Sequence, residues 1–285
     1  MTSESLARAE PETIRRIQQN LIGYFGLFEG LPGVTFAKGE VTLVASTGYP
    51  GSLVLGSSIQ ANAANETVHR TLQSIEQRCS AIDWFVFPEC EPSDLGDRLV
   101  TLSENKEQSD HWSLVGKIGG PGGTWMLAAL NALAPQSRQV SSAFHVENVT
   151  DLEHLETWKQ INAEGFGGGD YQIFYDSFAR HGFGPDAIAH HFVGYLDDTP
   201  VTSATLILAG GIASVFNVST PERLRRQGYG GAVTLAALQA AIGYGFEDAY
   251  VWSSPLGRSV YQNLGFEIRD VGIREYQWEK SSDTA

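Results

Sequence analysis

The stretch FNVSTPERLRRQGYGGAVTLAALQAA, residues 216–241, is the part of the sequence that decides the fold. Its β-rich start ends at Pro221, which prevents the strand from continuing, and an alanine-rich helix follows Gly228, Gly230 and Gly231. Glycines at such a junction let the backbone turn tightly with its N–H groups pointing outward. The first turn of a helix adds unpaired N–H groups and a partial positive charge. Because three arginines lie just before the glycines, the stretch predicts a loop that binds phosphate.

Two other phosphate-binding motifs do not fit this loop. The phosphate loop of nucleotide hydrolases requires Gly-Lys-Ser/Thr, which is absent, and the dinucleotide fingerprint requires a third glycine three residues after the second. An Arg-x-x-Gly-x-Gly pattern by itself also arises by chance. A glycine-rich turn beside a solvated arginine cluster therefore stays an alternative interpretation.

Two motifs together resemble those of the GNAT superfamily of acyl-CoA-dependent N-acyltransferases. The family motif Arg/Gln-x-x-Gly-x-Gly/Ala, between the fourth strand and the next helix, is matched by RRQGYG at residues 225–230. Downstream, the family element Tyr-x-x-x-Gly-Phe is matched by YQNLGF at residues 261–266. The resemblance covers residues 141–280 well and the first half only faintly. It implies an α/β (α+β) fold with a mixed, mostly antiparallel sheet flanked by helices.

The resemblance implies acyl transfer from acetyl-CoA, as co-substrate, to an amine that attacks the thioester directly. Loop N–H groups would hold the pyrophosphate, and the fourth-strand end would pair with the pantetheine arm and stabilise the oxyanion. Tyr261 would be the catalytic acid for the departing thiolate, with a packing role as its alternative. Ser254 takes the place of an asparagine found in many family members. The CoA-binding residues implied in this way are Val218, Ser219, Thr220, Arg225, Arg226, Gln227, Gly228, Tyr229, Gly230, Gly231 and Ser254.

A base for the attacking amine is harder to identify. Many family members place a glutamate on the fourth strand, but residues 212–218 contain no carboxylate. The remaining candidates are Glu164, Asp170, His190 and His191, each of which also fits a structural role. The missing carboxylate keeps two alternatives open: a non-catalytic regulator that binds acyl-CoA, and an enzyme of this fold with another acyl-CoA chemistry.

Composition limits the class of protein and its partners. The chain has 285 residues, of which 42% are hydrophobic and 18% charged, so a disordered chain is excluded. Its net charge of −14 argues against nucleic-acid and membrane partners. The resemblance implies a small-molecule or peptide amine as the acceptor, and a homodimer stays open. Two cysteines, Cys79 and Cys90, cannot form a disulfide framework or a four-thiolate metal site, and no metal is expected. Without a visible signal peptide or membrane-length apolar run, the protein is expected to be cytoplasmic.

The chain length predicts two domains, residues 1–138 and 139–285, with an irregular connector from about residue 119. The second domain carries both motifs. Elements of the first follow a similar order, with three strands followed by helix, strand, helix and strand, which suggests a degenerate copy of the acyltransferase fold. Its corresponding junction, GSSIQAN at residues 56–62, lacks the arginine and glycine pattern, so the first half is expected not to bind CoA.

Overall fold

The computed structural model describes residues 6–105, 112–120, 123–135 and 140–280. These residues form two compact units, each assembled from two separate stretches of the chain. Unit 1 contains the residues up to Leu27 together with Gly123–Asp270, and unit 2 contains Phe28–Gly122 together with the residues from Val271 onward. The predicted boundary at residue 138 itself lies outside the described residues.

Helices and strands are distributed along the whole described chain. The helices are α1 (Pro11–Gly26), α2 (Ala64–Ile75), α3 (Leu95–Glu104), α4 (Leu152–Gly165), α5 (Gln172–His181), α6 (Tyr229–Gly243) and α7 (Arg258–Asn263). The strands are β1 (Val34–Ala37), β2 (Val41–Ser46), β3 (Leu53–Ser57), β4 (Ala81–Val86), β5 (Trp112–Gly120), β6 (Thr124–Ala129), β7 (Phe144–Asn148), β8 (Ala189–Leu196), β9 (Thr199–Ala209), β10 (Ile212–Ser219), β11 (Asp248–Ser253), β12 (Glu267–Ile268) and β13 (Arg274–Lys280). Within the ranges given above, no helix combines the length and apolar character that crossing a membrane requires.

Unit 1 is built around a seven-stranded sheet with the order β12-β6-β11-β10-β9-β8-β7. Neighbouring strands are antiparallel except β10 and β11, which are parallel. On one face, α6 packs through a core that includes Ala204, Leu206 and Val233. On the other face lies α4, where Asn162 donates a hydrogen bond to Ser203 at 2.9 Å. Because successive strand residues point to opposite faces, helices cover both sides of this sheet.

Short turns connect β8, β9 and β10, as the sequence predicts. Gly210 and Gly211 join β9 to β10 with φ angles of +61° and +73°, the conformation of a two-residue hairpin turn. A Cβ added at Gly210 would lie 2.6 Å from the carbonyl oxygen of Arg16, so this turn also needs glycine for its close approach to α1. The predicted fold class, a mixed and mostly antiparallel sheet flanked by helices, is confirmed.

One buried side chain, Asn20, ties α1 to the sheet of unit 1. Its amide nitrogen donates to the backbone carbonyl oxygens of Ile207, Ala209 and Ile212 at 3.4, 3.1 and 2.8 Å. Its Oδ1 accepts the hydroxyl protons of Ser214 and Tyr250 at 2.7 and 2.9 Å. A buried amide without partners costs about 1–3 kcal/mol, so this set of bonds specifies where α1 packs.

Unit 2 is built around a six-stranded sheet with the order β1-β2-β3-β4-β13-β5, in which β3 and β4 are parallel. One face packs against α2 and α3 through a core whose largest side chains are Trp84, Trp112 and Trp278. The opposite face carries Glu275, which is fully buried and paired with Lys117 at 2.6 Å. Glu275 therefore lies outside the apolar core, whereas Tyr276 and Trp278 of the same strand point into it.

The predicted division into residues 1–138 and 139–285 differs from the observed units because helix α1 belongs to unit 1 and two strands are exchanged. β6 precedes the predicted boundary but pairs with β11 and β12 in unit 1. β13 follows it but pairs with β4 and β5 in unit 2. Each sheet nevertheless runs from an antiparallel meander to a parallel pair and then to an exchanged strand. This shared order is what a degenerate copy of one fold would produce.

Candidate active site

The parallel strands β10 and β11 pair over only part of their length. Their register is Ala213 with Ala249 and Ser214 with Tyr250, and β10 continues beyond this point without pairing to β11. A bulge follows between Phe216 and Ser219, where the register of β10 against β9 shifts. The two strands thus diverge at the end of β10, and backbone groups on that edge remain available to a ligand.

The loop that follows β10 carries unpaired N–H groups at the start of α6. Arg226 and Gly228 have φ angles of +63° and +91°, which turn the chain sharply before the helix. The first bond of the helix joins the N–H of Ala232 to the carbonyl oxygen of Gly228 at 3.0 Å. The N–H groups of residues 229–231 precede that bond and have no carbonyl partner within the helix, so they and the helix dipole favour an anion here.

The three arginines beside this loop do not act as one positive cluster. The guanidinium group of Arg225 donates to the carbonyl oxygens of Thr220 at 3.1 Å and Gly165 at 2.8 Å, which fastens the loop to the end of α4. Arg223 pairs with Glu164 at 3.1 Å, and Arg226 is exposed. The cluster inferred from the sequence is therefore divided, because Arg225 braces the loop and Arg223 pairs with Glu164, although all three side chains are exposed.

Tyr229 and Gln227 stabilise the loop from within. The ring of Tyr229 is buried and stacks on Phe144 with 5.2 Å between ring centroids. Its hydroxyl donates to Oε1 of Gln227 at 3.1 Å. Both side chains are thus occupied in holding the first turn of α6, and what remains for a ligand at these positions is the backbone.

The side chains at the end of β10 also pack inward. Ser219 donates its hydroxyl proton to the carbonyl oxygen of Ile161 at 3.0 Å, and Thr202 donates to the carbonyl oxygen of Ser219 at 2.7 Å. The hydroxyl of Thr220 lies 2.9 Å from that of Thr202. These contacts hold the strand end in place while Val218 remains half-buried.

Tyr261 lies on α7 with its ring buried and its hydroxyl free of any hydrogen bond to the described residues. The ring packs edge-on against Phe266, with 5.9 Å between centroids. A Cβ added at Gly257 would come within 2.8 Å of the tyrosine ring, so the close packing requires glycine there. Burial raises the pKa of Tyr261 to about 12. The phenol therefore stays protonated at neutral pH and has a proton to donate.

Ser254 lies in the turn before α7. Its hydroxyl oxygen accepts the N–H of Gly257 at 3.3 Å, and its carbonyl oxygen accepts the N–H groups of Gly257 and Arg258 at 3.1 and 3.2 Å. The serine expected to replace a pantetheine-binding asparagine thus has structural partners in this turn, and serine is a common residue in such turns.

The four candidate bases are all engaged elsewhere. Glu164 pairs with Arg223, and Asp170 accepts the N–H of Gln172 at 2.8 Å. His191 is buried among aromatic rings, and desolvation lowers its pKa to about 3, so it stays neutral. His190 lies 3.4 Å from the hydroxyl of Tyr244, at the end of α6 opposite the loop. Since α6 has 15 residues, about 22 Å of helix separates His190 from the anion-binding turn.

Two further residues of this region were not singled out from the sequence. Asn217 forms the bulge of β10 with a φ angle of +51°, and its Oδ1 accepts the hydroxyl proton of Tyr24 at 3.0 Å. Asparagine tolerates positive φ better than most residues, so an asparagine just before the end of the strand could have indicated a bulge there. Tyr24 lies 193 residues earlier, and no local pattern connects it with β10.

Comparisons with known proteins give a likeness in fold. No family model matches the chain, and no curated protein matches it. A GCN5-related N-acetyltransferase from Kribbella flavida is similar with a TM-score of 0.61 and 16% identity, over 93% of this chain and 96% of that chain. A tandem GNAT protein from the clavulanic acid biosynthesis pathway is similar with a TM-score of 0.57 and 14% identity, over 98% of each chain. The chain therefore has the fold of the GNAT acetyltransferases, in a two-domain arrangement that a tandem member shares nearly end to end.

Proposed function

We propose that unit 1 transfers an acetyl group from acetyl-CoA to the amine of a small molecule or a peptide. The observation that carries this proposal is the continuity between two features: the diverging end of β10 and the unpaired N–H groups of α6 that follow it within ten residues. A long ligand with an anionic end fits such a path, because one part can pair with the strand edge while the anion binds the helix N-terminus.

The first turn of α6 lies against the end of β10. A Cβ added at Gly230 would make ordinary van der Waals contacts with the hydroxyl of Thr220 at 3.5 Å and a methyl group of Val218 at 3.9 Å, so a ligand on the strand edge would reach the helix N-terminus directly. The N–H groups from Arg226 to Gly231 would bind the anion, and the exposed side chain of Arg226 would add its charge. The side chains of Arg225, Gln227 and Tyr229 would contribute by bracing the loop.

The chemistry needs a group that assists departure of the thiol. Bound acetyl-CoA supplies an acetyl thioester: the amine nitrogen bonds to its carbonyl carbon, the carbon–sulfur bond breaks so that CoA leaves as a thiolate, and water takes the surplus proton of the amine. In our proposal the backbone of Val218, at the unpaired edge of β10, stabilises the carbonyl oxygen, and Ser219 and Thr220 continue the edge that pairs with the pantetheine arm. Tyr261, a neutral phenol without a hydrogen-bond partner among the described residues, donates a hydrogen bond to the departing sulfur. None of the four engaged acids and histidines is proposed as the base.

The cellular setting follows from the thiols. Cys79 and Cys90 are both free, and burial raises the pKa of each, so neither is a reactive thiolate. Free thiols agree with a reducing compartment, and we propose that the protein acts in the cytoplasm.

Calorimetric titration of the full chain with acetyl-CoA tests the binding site, and we expect one site per chain. Gly228→Asp places a negative charge in the loop. Two like charges about 5 Å apart repel by about 3 kcal/mol at an effective dielectric constant of about 20, so Kd should weaken about 100-fold. Gly245→Asp is the matched control, since Gly245 also has positive φ (+84°) but lies exposed beyond the other end of α6. Equal affinity in both variants would contradict the placement of the ligand.

Release of free thiol in the presence of a panel of small amines and peptides then tests the reaction. Turnover with an amine is expected. The absence of a carboxylate on β10 favours one competing function, a regulator that senses acyl-CoA, and tight binding without turnover of any amine would support that function instead.

A further inference from the structure

The bulge of β10 is attached to a helix from the other end of the sequence. Tyr24 lies one turn after Asn20 on α1, so both side chains face the sheet. The hydroxyl of Tyr24 donates to Oδ1 of Asn217 at 3.0 Å, and its ring stacks on Phe216 with 4.3 Å between centroids and 13° between planes. One side chain therefore contacts two consecutive residues at the point where β10 leaves its regular register.

The bulge is the part of β10 with the fewest constraints of its own. Phe216 pairs with Thr205 and Ser219 with Ser203, so residues 217 and 218 together oppose a single residue of β9. Such an insertion leaves the extra residue outside the regular ladder. Asn217 also adopts a left-handed conformation, which asparagine tolerates better than most residues but which is still less favourable than right-handed backbone. The hydrogen bond from Tyr24 adds an external contact that helps to hold this conformation.

α1 is itself fixed on both sides of Tyr24. On one side, Asn20 is bonded to the backbone of β9 and β10. On the other side, the carbonyl oxygen of Leu27 accepts hydrogen bonds from Ser177, Arg180 and His181 of α5 at 2.8, 3.1 and 3.0 Å. The phenol of Tyr24 is thus presented from a rigid support. Burial raises its pKa, so it remains a hydrogen-bond donor.

We infer that Tyr24 is a positioning residue, which holds Asn217 in its left-handed conformation and thereby fixes the backbone of Val218 at the unpaired edge of β10. This inference rests on the proposed function, in which that backbone stabilises the thioester oxygen. It gives α1 a role in the acyltransferase unit that neither motif of the sequence contains. We call the contact between these two side chains the Tyr24–Asn217 clamp.

Tyr24→Phe in the full chain tests the clamp, because the ring can still stack on Phe216 while the hydrogen bond is lost. We expect kcat for thiol release to fall about 3- to 10-fold, as the loss of one hydrogen bond allows, with Kd for acetyl-CoA unchanged within about 2-fold. Tyr244→Phe is the matched control. It also removes a single tyrosine hydroxyl, which lies 3.4 Å from Nδ1 of His190 at the far end of α6, so kcat should not change.

Amide hydrogen exchange at the bulge tests the clamp independently of any catalytic activity. In Tyr24→Phe the amides of residues 217–219 should exchange faster than in the wild type, whereas in Tyr244→Phe they should not. In an Asn217→Ala background, Tyr24→Phe should have no further effect on exchange or kcat. Unchanged exchange at residues 217–219 would overturn the inference. If exchange rises as expected but the wild type releases no thiol with any amine, the proposed function fails while the clamp stands.

Discussion

Tyr261→Phe is the most direct test of the chemistry. A CoA-like thiol has a pKa of about 8.5, while burial raises the pKa of Tyr261 to about 12. Full proton transfer to the thiolate would be uphill by about 3.5 pKa units, or about 5 kcal/mol, so the phenol is expected to act mainly as a hydrogen-bond donor to the developing charge. Hydrogen bonds to charged groups contribute about 1.5–3 kcal/mol. We therefore expect kcat to fall about 10- to 150-fold.

The assay is release of free thiol at saturating amine and acetyl-CoA, with calorimetry for the binding step. Kd for acetyl-CoA should stay within about 2-fold, and the melting temperature should barely change, because the hydroxyl of Tyr261 has no partner in the described part of the chain. Tyr244→Phe, on an exposed tyrosine at the far end of α6, is the control and should leave kcat unchanged. Wild-type kcat should not fall up to about pH 10, because the acid remains protonated. A phenylalanine variant within 2-fold of wild-type kcat would return Tyr261 to a packing role.

Two further predictions concern the fold. A fragment of residues 139–285 should be insoluble or unfolded by circular dichroism, because it lacks α1 and β6, and the loss of an interior strand and a packed helix is large against the 5–15 kcal/mol of a typical domain; a cooperative thermal transition in this fragment would contradict the exchanged topology. In unit 2, burial and the neighbouring Glu275 raise the pKa of Asp83 to about 6 from 3.8. The folded state then binds a proton that the unfolded state has released, so the free energy of unfolding should decrease as pH rises from about 4 to above 6. Asp83→Asn should flatten this dependence in urea unfolding at several pH values, and a pH profile identical to that of the wild type would contradict the assignment.

Local sequence patterns predicted most of the elements around the site. The strand that stops at Pro221, the glycines before α6 and the short helix with Tyr261 all lie where the sequence places them. Each of these features depends on residues close together in the chain, such as a proline without an N–H or a glycine at positive φ. The sharp turn before α6 could be predicted for the same reason.

Pairings between distant residues could not be predicted. The apolar piece TWMLAA at residues 124–129 is short enough to fit several kinds of structure, and nothing in it names β11 as its partner. The alternating pattern of β13 likewise predicts which side chains share a face of the strand, but it does not predict which sheet the strand joins. Arg225 donates to the carbonyl oxygen of Gly165, which is distant in the sequence. The sequence alone could not show this bond, so its three arginines indicated a free positive cluster.

The exchanged strands also affect how the protein is made. In unit 2, β4 and β5 leave the ribosome long before β13, which lies between them in the finished sheet. Until β13 emerges, the edges of both strands are unpaired, and they are exposed to other nascent chains. Unit 1 meets the opposite order, since β6 is synthesised first and waits for β11. Neither sheet can be completed until the other half of the chain has been synthesised. We therefore expect the protein to depend strongly on chaperones during synthesis. We also expect that replacing either half with a foreign domain will prevent folding.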